Sequence, residues 1–149
     1  MLYIDADACP VKDEAIRVAA RHQLVVTFVA NSGARPTRDP MIRYVTVPAG
    51  PDAADDWIVA QLRPNDIVVT ADILLASRAV NGGAHVIAPN GKLHSAASIG
   101  MAVAMRNLKQ QLRESGEDRG LNAAFSPRDR SAFLQALHEV ADRALRQAK

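Results

Sequence analysis

Cysteine occurs once in 149 residues, at Cys9. That excludes an internal disulfide framework and fits a reducing, cytoplasmic setting. Aromatic residues are only 4% of the chain, too few to supply the stacking platforms on which sequence-indifferent single-strand binders rely. No apolar run is long enough to cross a bilayer, and the opening Met-Leu-Tyr-Ile-Asp lacks a basic stretch ahead of an apolar one. Neither a membrane span nor a secretory signal is therefore expected. The histidines, His22, His85, His94 and His138, have no zinc-ligand spacing. There is no Gly-x-Gly-x-x-Gly or Walker loop to cradle a nucleotide. Neither sign of charge dominates, the net being +2, but the distribution is uneven. Residues 1–100 carry 9 Lys/Arg against 10 Asp/Glu, whereas residues 101–149 carry 9 against 6.

Short β-branched runs alternate with helical stretches. The pattern predicts strands over 2–5, 25–30, 44–47, 67–70 and 85–88, and helices over 10–22, 53–62, 72–81, 96–113 and 127–147. Such alternation implies βαβ units and one α/β domain, 1–149, built on a mostly parallel sheet. Right-handed crossovers most simply order the five strands 3-2-1-4-5, with helices on both faces. The helices beyond about residue 95 are expected to pack on this domain. Ser126-Pro127-Arg128-Asp129 has the form of a capping box opening the last of them.

Aspartates sit at the junctions where strands or turns give way to helices. Asp5 and Asp7 follow the first strand, Asp52, Asp55 and Asp56 open the second helix, and Asp72 follows Ile67-Val-Val-Thr70. In a parallel sheet these junctions gather outside the carboxyl ends of the strands, and the 3-2-1-4-5 order makes the first and fourth strands neighbours where the winding reverses. Crowded carboxylates repel, and a hard divalent cation such as Mg²⁺ or Mn²⁺ holds them ionised. Helix capping explains part of the pattern. Pro10 suits the first turn of a helix, Asp52 and Asp55 form a capping-box pair, and Asp72 suits an N-cap. Asp55 nevertheless falls in register with Ile58, Val59 and Leu62 on the face that must meet the sheet. Asp56 is rotated off that stripe. Thr70 is placed to hydrogen-bond a carboxylate or a metal-bound water. Cys9 reads as a packed thiol, because neighbouring carboxylates oppose a thiolate. Two basic groups could meet a phosphate backbone: Arg35 and Arg38 in the loop after the second strand, and Arg106, Lys109 and Arg113 beside the apolar stripe Met101, Met105, Leu108 and Leu112.

Asp5-Ala-Asp-Ala-Cys-Pro-Val-Lys, Asp52-Ala-Ala-Asp55-Asp56, Val68-Val-Thr-Ala-Asp72, Gly-Ala-His85-Val-Ile-Ala-Pro-Asn-Gly91 and Asp129-Arg-Ser-Ala-Phe133 together resemble the bacterial YaiI/YqxD family along nearly the whole chain. That family is similar to PIN and NYN nuclease domains. The resemblance implies a three-layer PIN-like fold with acidic residues at Asp5, Asp55 and Asp72 and Asp7 as an accessory. Many PIN nucleases carry a further acid near the next strand end. The matching stretch here, Pro89-Asn90-Gly91-Lys92, has no carboxylate.

Three functions compete. The first is Mg²⁺- or Mn²⁺-dependent hydrolysis of a phosphodiester, in RNA, by Asp5, Asp55 and Asp72 with Asp7 as a further metal ligand and Thr70 and Asp56 as accessories. Arg35, Arg38, Arg106 and Lys109 would guide the backbone. The second is a haloacid-dehalogenase-like phosphatase, whose first two motifs Asp5-x-Asp7 and Thr70 mimic; its acidic pair should follow the Thr motif, yet Asp55-Asp56 precedes it. The third is a non-catalytic RNA- or partner-binding module retaining a degenerate metal pocket.

Overall fold

A computed structural model describes residues 1–7, 9–31, 38–50, 52–116 and 125–147. The strands are β1 (Leu2–Asp5), β2 (Val26–Ala30), β3 (Ile42–Thr46), β4 (Ile67–Val69), β5 (His85–Ile87) and β6 (Leu93–His94). The helices are α1 (Lys12–Arg21), α2 (Ala53–Gln61), α3 (Ile73–Asn81), α4 (Ile99–Glu114) and α5 (Pro127–Gln147). The sheet order is β3-β2-β1-β4-β5-β6. Five strands are parallel in the order the crossover rule requires, and the sixth runs antiparallel to β5. The sheet thus has six strands rather than five. With two residues, β6 is too short to display a period-two pattern.

Strand alternation divides the core into two layers. Leu2, Ile4, Val26, Phe28, Ile67, Val69 and Ile87 face α1 and α5, whereas Tyr3, Val29, Val68 and Val86 face α2, α3 and the start of α4. The central strands β1 and β4 are apolar on both sides because helices cover both faces.

Helix ends follow sequence chemistry unevenly. Asp72 caps α3, its Oδ1 accepting from the N–H groups of Leu74 (2.8 Å) and Leu75 (3.4 Å). Ser126 and Asp129 form the reciprocal box at α5: Ser126 N–H donates to Asp129 Oδ2 at 2.9 Å, and Asp129 N–H donates to Ser126 Oγ at 3.2 Å. The box expected at Asp52 and Asp55 does not form, since Asp52 holds the N-cap position without a side-chain capping bond. Nor does Pro10 open α1. The helix begins two residues later, and the Pro10 carbonyl instead accepts from Arg130 of α5 at 2.7 Å.

The last two helices part company. Phe133, Leu137, Val140, Ala141 and Ala144 of α5 are buried against α1 and the sheet. Helix α4 packs on α3, through Ile99 with Ala102 and Val103. The stripe read as an apolar face therefore points outward, Met101 being 70% exposed, Met105 46% and Leu108 47%. A helix packed mainly along one neighbour covers a narrower stripe than one laid across a sheet.

Replacing Ser126 with Ala removes one half of the α5 capping box. A loss of about 1 kcal/mol in urea denaturation is expected. An unchanged midpoint would show that the box contributes nothing to α5.

Candidate active site

The end of β1 delivers Asp5, and the residue after β4 is Thr70. These strands are adjacent and parallel, with Ile4 opposite Val69. Thr70, 2% exposed, ties three segments together. Its Oγ1 accepts the Asp72 backbone N–H at 3.0 Å and donates to Asp5 Oδ2 at 2.9 Å. The amide can only donate, so the hydroxyl proton is directed at the carboxylate.

Asp55 reaches the same edge from α2. It is 8% exposed and lies in the first turn of the helix, in register with the fully buried Ile58. No hydrogen bond or ion pair satisfies it among the described residues. Burial, followed by the charges of Asp72, Asp5 and Asp52, raises its pKa to about 6, and Arg78 opposes the rise. Burial also raises Asp5, Thr70 lowers it by hydrogen bonding, and Asp72 and Asp7 raise it further. Asp5, Asp55 and Asp72 therefore share one electrostatic neighbourhood, as the sheet order requires. Even so, no group of three or more Asp, Glu, His or Cys side chains is close enough to hold one ion among the described residues.

The remaining sequence candidates divide. Asp7 is exposed at the margin, its Oδ2 accepting from Asn31 N–H at 3.3 Å. Asp56 turns to an exposed ion pair with Arg78 at 2.8 Å. Arg38 is exposed, and Arg35 lies outside the described residues. Cys9 is half-buried against the core, and burial raises its pKa, as a packed thiol requires.

Arg106 and Lys109 line an open groove of about 760 Å³ between α4 and the start of α3. Its other walls include Ala71, Ile73, Met101 and Met105, so it begins beside Asp72. Lys92 is a further cation in that groove which basic-cluster reading overlooked. It stands alone in sequence, and only the β5–β6 turn carries it to the groove.

The Asp55 shift has a consequence for stability. The folded state binds the Asp55 proton more tightly than the unfolded chain does, so this site's contribution falls as pH rises from about 4 through about 6. Asp55→Asn removes that penalty. The variant should exceed the parent by roughly 1 kcal/mol at pH 7, after allowance for solvent screening, and lose the advantage near pH 4. Urea denaturation across that range tests it, and equal stability at both pH values would contradict the shift.

Similarity to known proteins points to one family. The model described as "Uncharacterized BCR, YaiI/YqxD family" matches residues 3–143. A UPF0178 protein of Mesorhizobium japonicum is 60% identical, the match covering 99% of this chain and 95% of the relative. UPF0178 proteins of Agrobacterium fabrum (62% identity; 91% and 89% covered) and Rhizobium meliloti (58%; 98% and 100%) are also similar. No solved structure matches the chain. Among the described residues, no helix is long and apolar enough to cross a membrane. With the family model running from β1 into α5, the chain belongs to the YaiI/YqxD family.

Proposed function

We propose that this protein is a Mg²⁺- or Mn²⁺-dependent nuclease that hydrolyses phosphodiesters in RNA. The observation carrying the reading is that burial, and after it the charges of neighbouring acids including Asp72, raises the pKa values of Asp5 and Asp55, next to a groove lined by Ala71 and Ile73 on either side of Asp72 in sequence and by Lys92, Arg106 and Lys109. Carboxylates alone would repel a phosphate, whereas carboxylates neutralised by a cation beside a basic groove would accept one. The resemblance to PIN domains supports the same reading.

The donor set fits a hydrated hard cation. Mg²⁺ usually retains several waters and takes only one or two carboxylates directly. Asp5 and Asp72, linked through Thr70, supply such a pair, and Asp55 would act across a water. A bound ion would supply Lewis acidity and an activated water. The protein's own part is to orient Asp5 by the Thr70 hydroxyl and to hold the strand along α4. Asp55, with its raised pKa, suits proton transfer near neutral pH. Asp7 would trim the site at its exposed margin.

The tests separate binding from catalysis. Mn²⁺ or Mg²⁺ should raise the melting temperature, by an amount corresponding to about 2.7 kcal/mol at a hundredfold excess over Kd. The Asp5→Asn, Asp72→Asn double variant should lose that response. Cleavage of RNA should require the metal and fall by roughly 100-fold or more in the same variant. Metal stabilisation without cleavage across RNA and DNA substrates would favour a non-catalytic binding module, a reading that the carboxylate-free Pro89–Lys92 stretch also suits. No thermal response at millimolar metal would refute the cation site itself.

A further inference from the structure

Polar contacts join α1 to α5 at both ends of their interface. At one end Arg130 donates to Glu14 Oε1 at 2.9 Å and to the Pro10 carbonyl at 2.7 Å. At the other, His22 Nε2 meets His138 Nδ1 at 3.0 Å. Glu14 and His22 are spaced along α1 as Arg130 and His138 are along α5, so the two helices run parallel and in register. The Arg130 contact lies at the end of α1 that follows β1 and Asp5, and the histidine contact at the edge from which β2 starts. Between them runs an apolar seam that includes Ala15, Val18, Phe133 and Leu137.

The histidine contact is a chain of three groups. His22, its side chain 12% exposed, turns its other nitrogen, Nδ1, to Asp142 Oδ1 at 3.4 Å. The centroids of the two imidazole rings are 5.2 Å apart, well beyond the separation of the facing nitrogens, so those nitrogens point at one another. That is the geometry of one hydrogen bond, in which one nitrogen donates and the other accepts.

Counting protons decides what this chain can hold. With both rings neutral, one facing nitrogen carries a proton and the other a lone pair. One added proton is accommodated on His22: Nδ1–H faces the Asp142 carboxylate, and Nε2–H donates to the His138 lone pair in a charge-assisted bond. A second proton puts N–H groups on both facing nitrogens and leaves no acceptor between them. The bond then becomes a contact of two cations. Burial, followed by the charges of His22 and Arg21, lowers the His138 pKa; Arg17 adds to this, and Asp142 opposes it. Arg17 and Arg21 come from α1, and Asp142 from α5 itself. Beneath α5, Ile67–Val69 of β4 carries no titratable side chain, and His85 of β5 lies beside Val140 and Arg143.

We propose that His22, His138 and Asp142 form an acid-opened clasp, which holds with no added proton or one and which the second proton opens, releasing from α1 the half of α5 that follows His138. The Arg130 contact includes a guanidinium and a backbone carbonyl, neither of which titrates, so the end of α5 nearest Asp5 stays held. Once opened, His138 takes its proton as an ordinary histidine does. The clasp therefore contributes fully above about pH 6.5 and weakens as pH falls through that value. Asp55 has the opposite slope, because its penalty eases in acid. A loss confined to α5 is thus distinct from general acid unfolding. The clasp requires neither metal nor nuclease activity.

Amide hydrogen exchange of the full chain from about pH 7.5 to about pH 5, corrected for the intrinsic pH dependence of exchange, tests the clasp. Opening takes up one proton, so protection of residues 139–147 should fall by up to about tenfold per pH unit. Residues 128–136 should keep theirs. His138→Asn retains a polar atom at the Nδ1 position without a titrating ring, and should abolish the acid loss. Asp142→Asn makes both protons harder to add, and should move the loss to lower pH. Nitrogen NMR of the two rings in the parent needs no variant to fold: the rings should titrate in separate steps, with His138 protonating below the ordinary histidine range. Equal loss of protection along the whole of α5 would overturn the proposal. So would an acid loss in His138→Asn equal to the parent's, an unmoved loss in Asp142→Asn, or two rings titrating independently at the ordinary histidine pKa.

Discussion

One buried hydroxyl organises the edge of the sheet on which everything else depends. Thr70 leaves β4, accepts the amide that begins the turn into α3, and donates to the carboxylate at the end of β1. The same turn places Asp72 so that its side chain caps α3. Two carboxylates are thus fixed by backbone geometry at the ends of adjacent parallel strands rather than by contacts with each other. A serine could donate the same bond, but it lacks the methyl that a β-branched residue packs at this buried strand end.

This arrangement holds charge at a cost. Asp55 is pressed into the layer between α2 and the sheet with no donor among the described residues, and its neighbours are other acids. A fold selected for stability alone would place Asn or an apolar residue there. Strained electrostatics of this kind cluster at functional sites. The asymmetry continues outward, because α4 packs mainly along α3 and turns its methionines and cations towards the groove. The β5–β6 turn and the start of α5 then close the far side of the same edge. The coupled carboxylates and the basic groove beside them are contributed by segments far apart in sequence.

Periodicity and end signals were enough to read much of this in advance. Apolar runs of Leu2–Asp5 and Ile67–Val69 could only be central strands, and the crossover rule then made them neighbours. From that ordering the meeting of Asp5 and Asp72 follows, and the helical register of Asp55 with Ile58 turns it towards the same place. The capping box of α5 is equally local, which is why Ser126 and Asp129 pair as their spacing indicates.

Other features have no local signature. Asp52 and Asp55 carry the same spacing as Ser126 and Asp129, yet no side-chain cap forms at Asp52, and Asp55 is buried instead of reaching back to it. Strand β6 is two residues long, and only pairing with β5 makes it a strand. The stripe on α4 has a perfectly good amphipathic pattern, but whether such a stripe is covered depends on what lies opposite. The burial of His94, the reach of Lys92 into the groove and the close approach of Gly91 to α5 likewise arise when the turn docks. Sequence by itself determined the periods, the helix ends and hence the strand order, since each depends on residues within a few positions of one another. Tertiary structure alone decided which carboxylates share a field and which faces stay open, because burial and charge coupling depend on distances through space that no local pattern encodes.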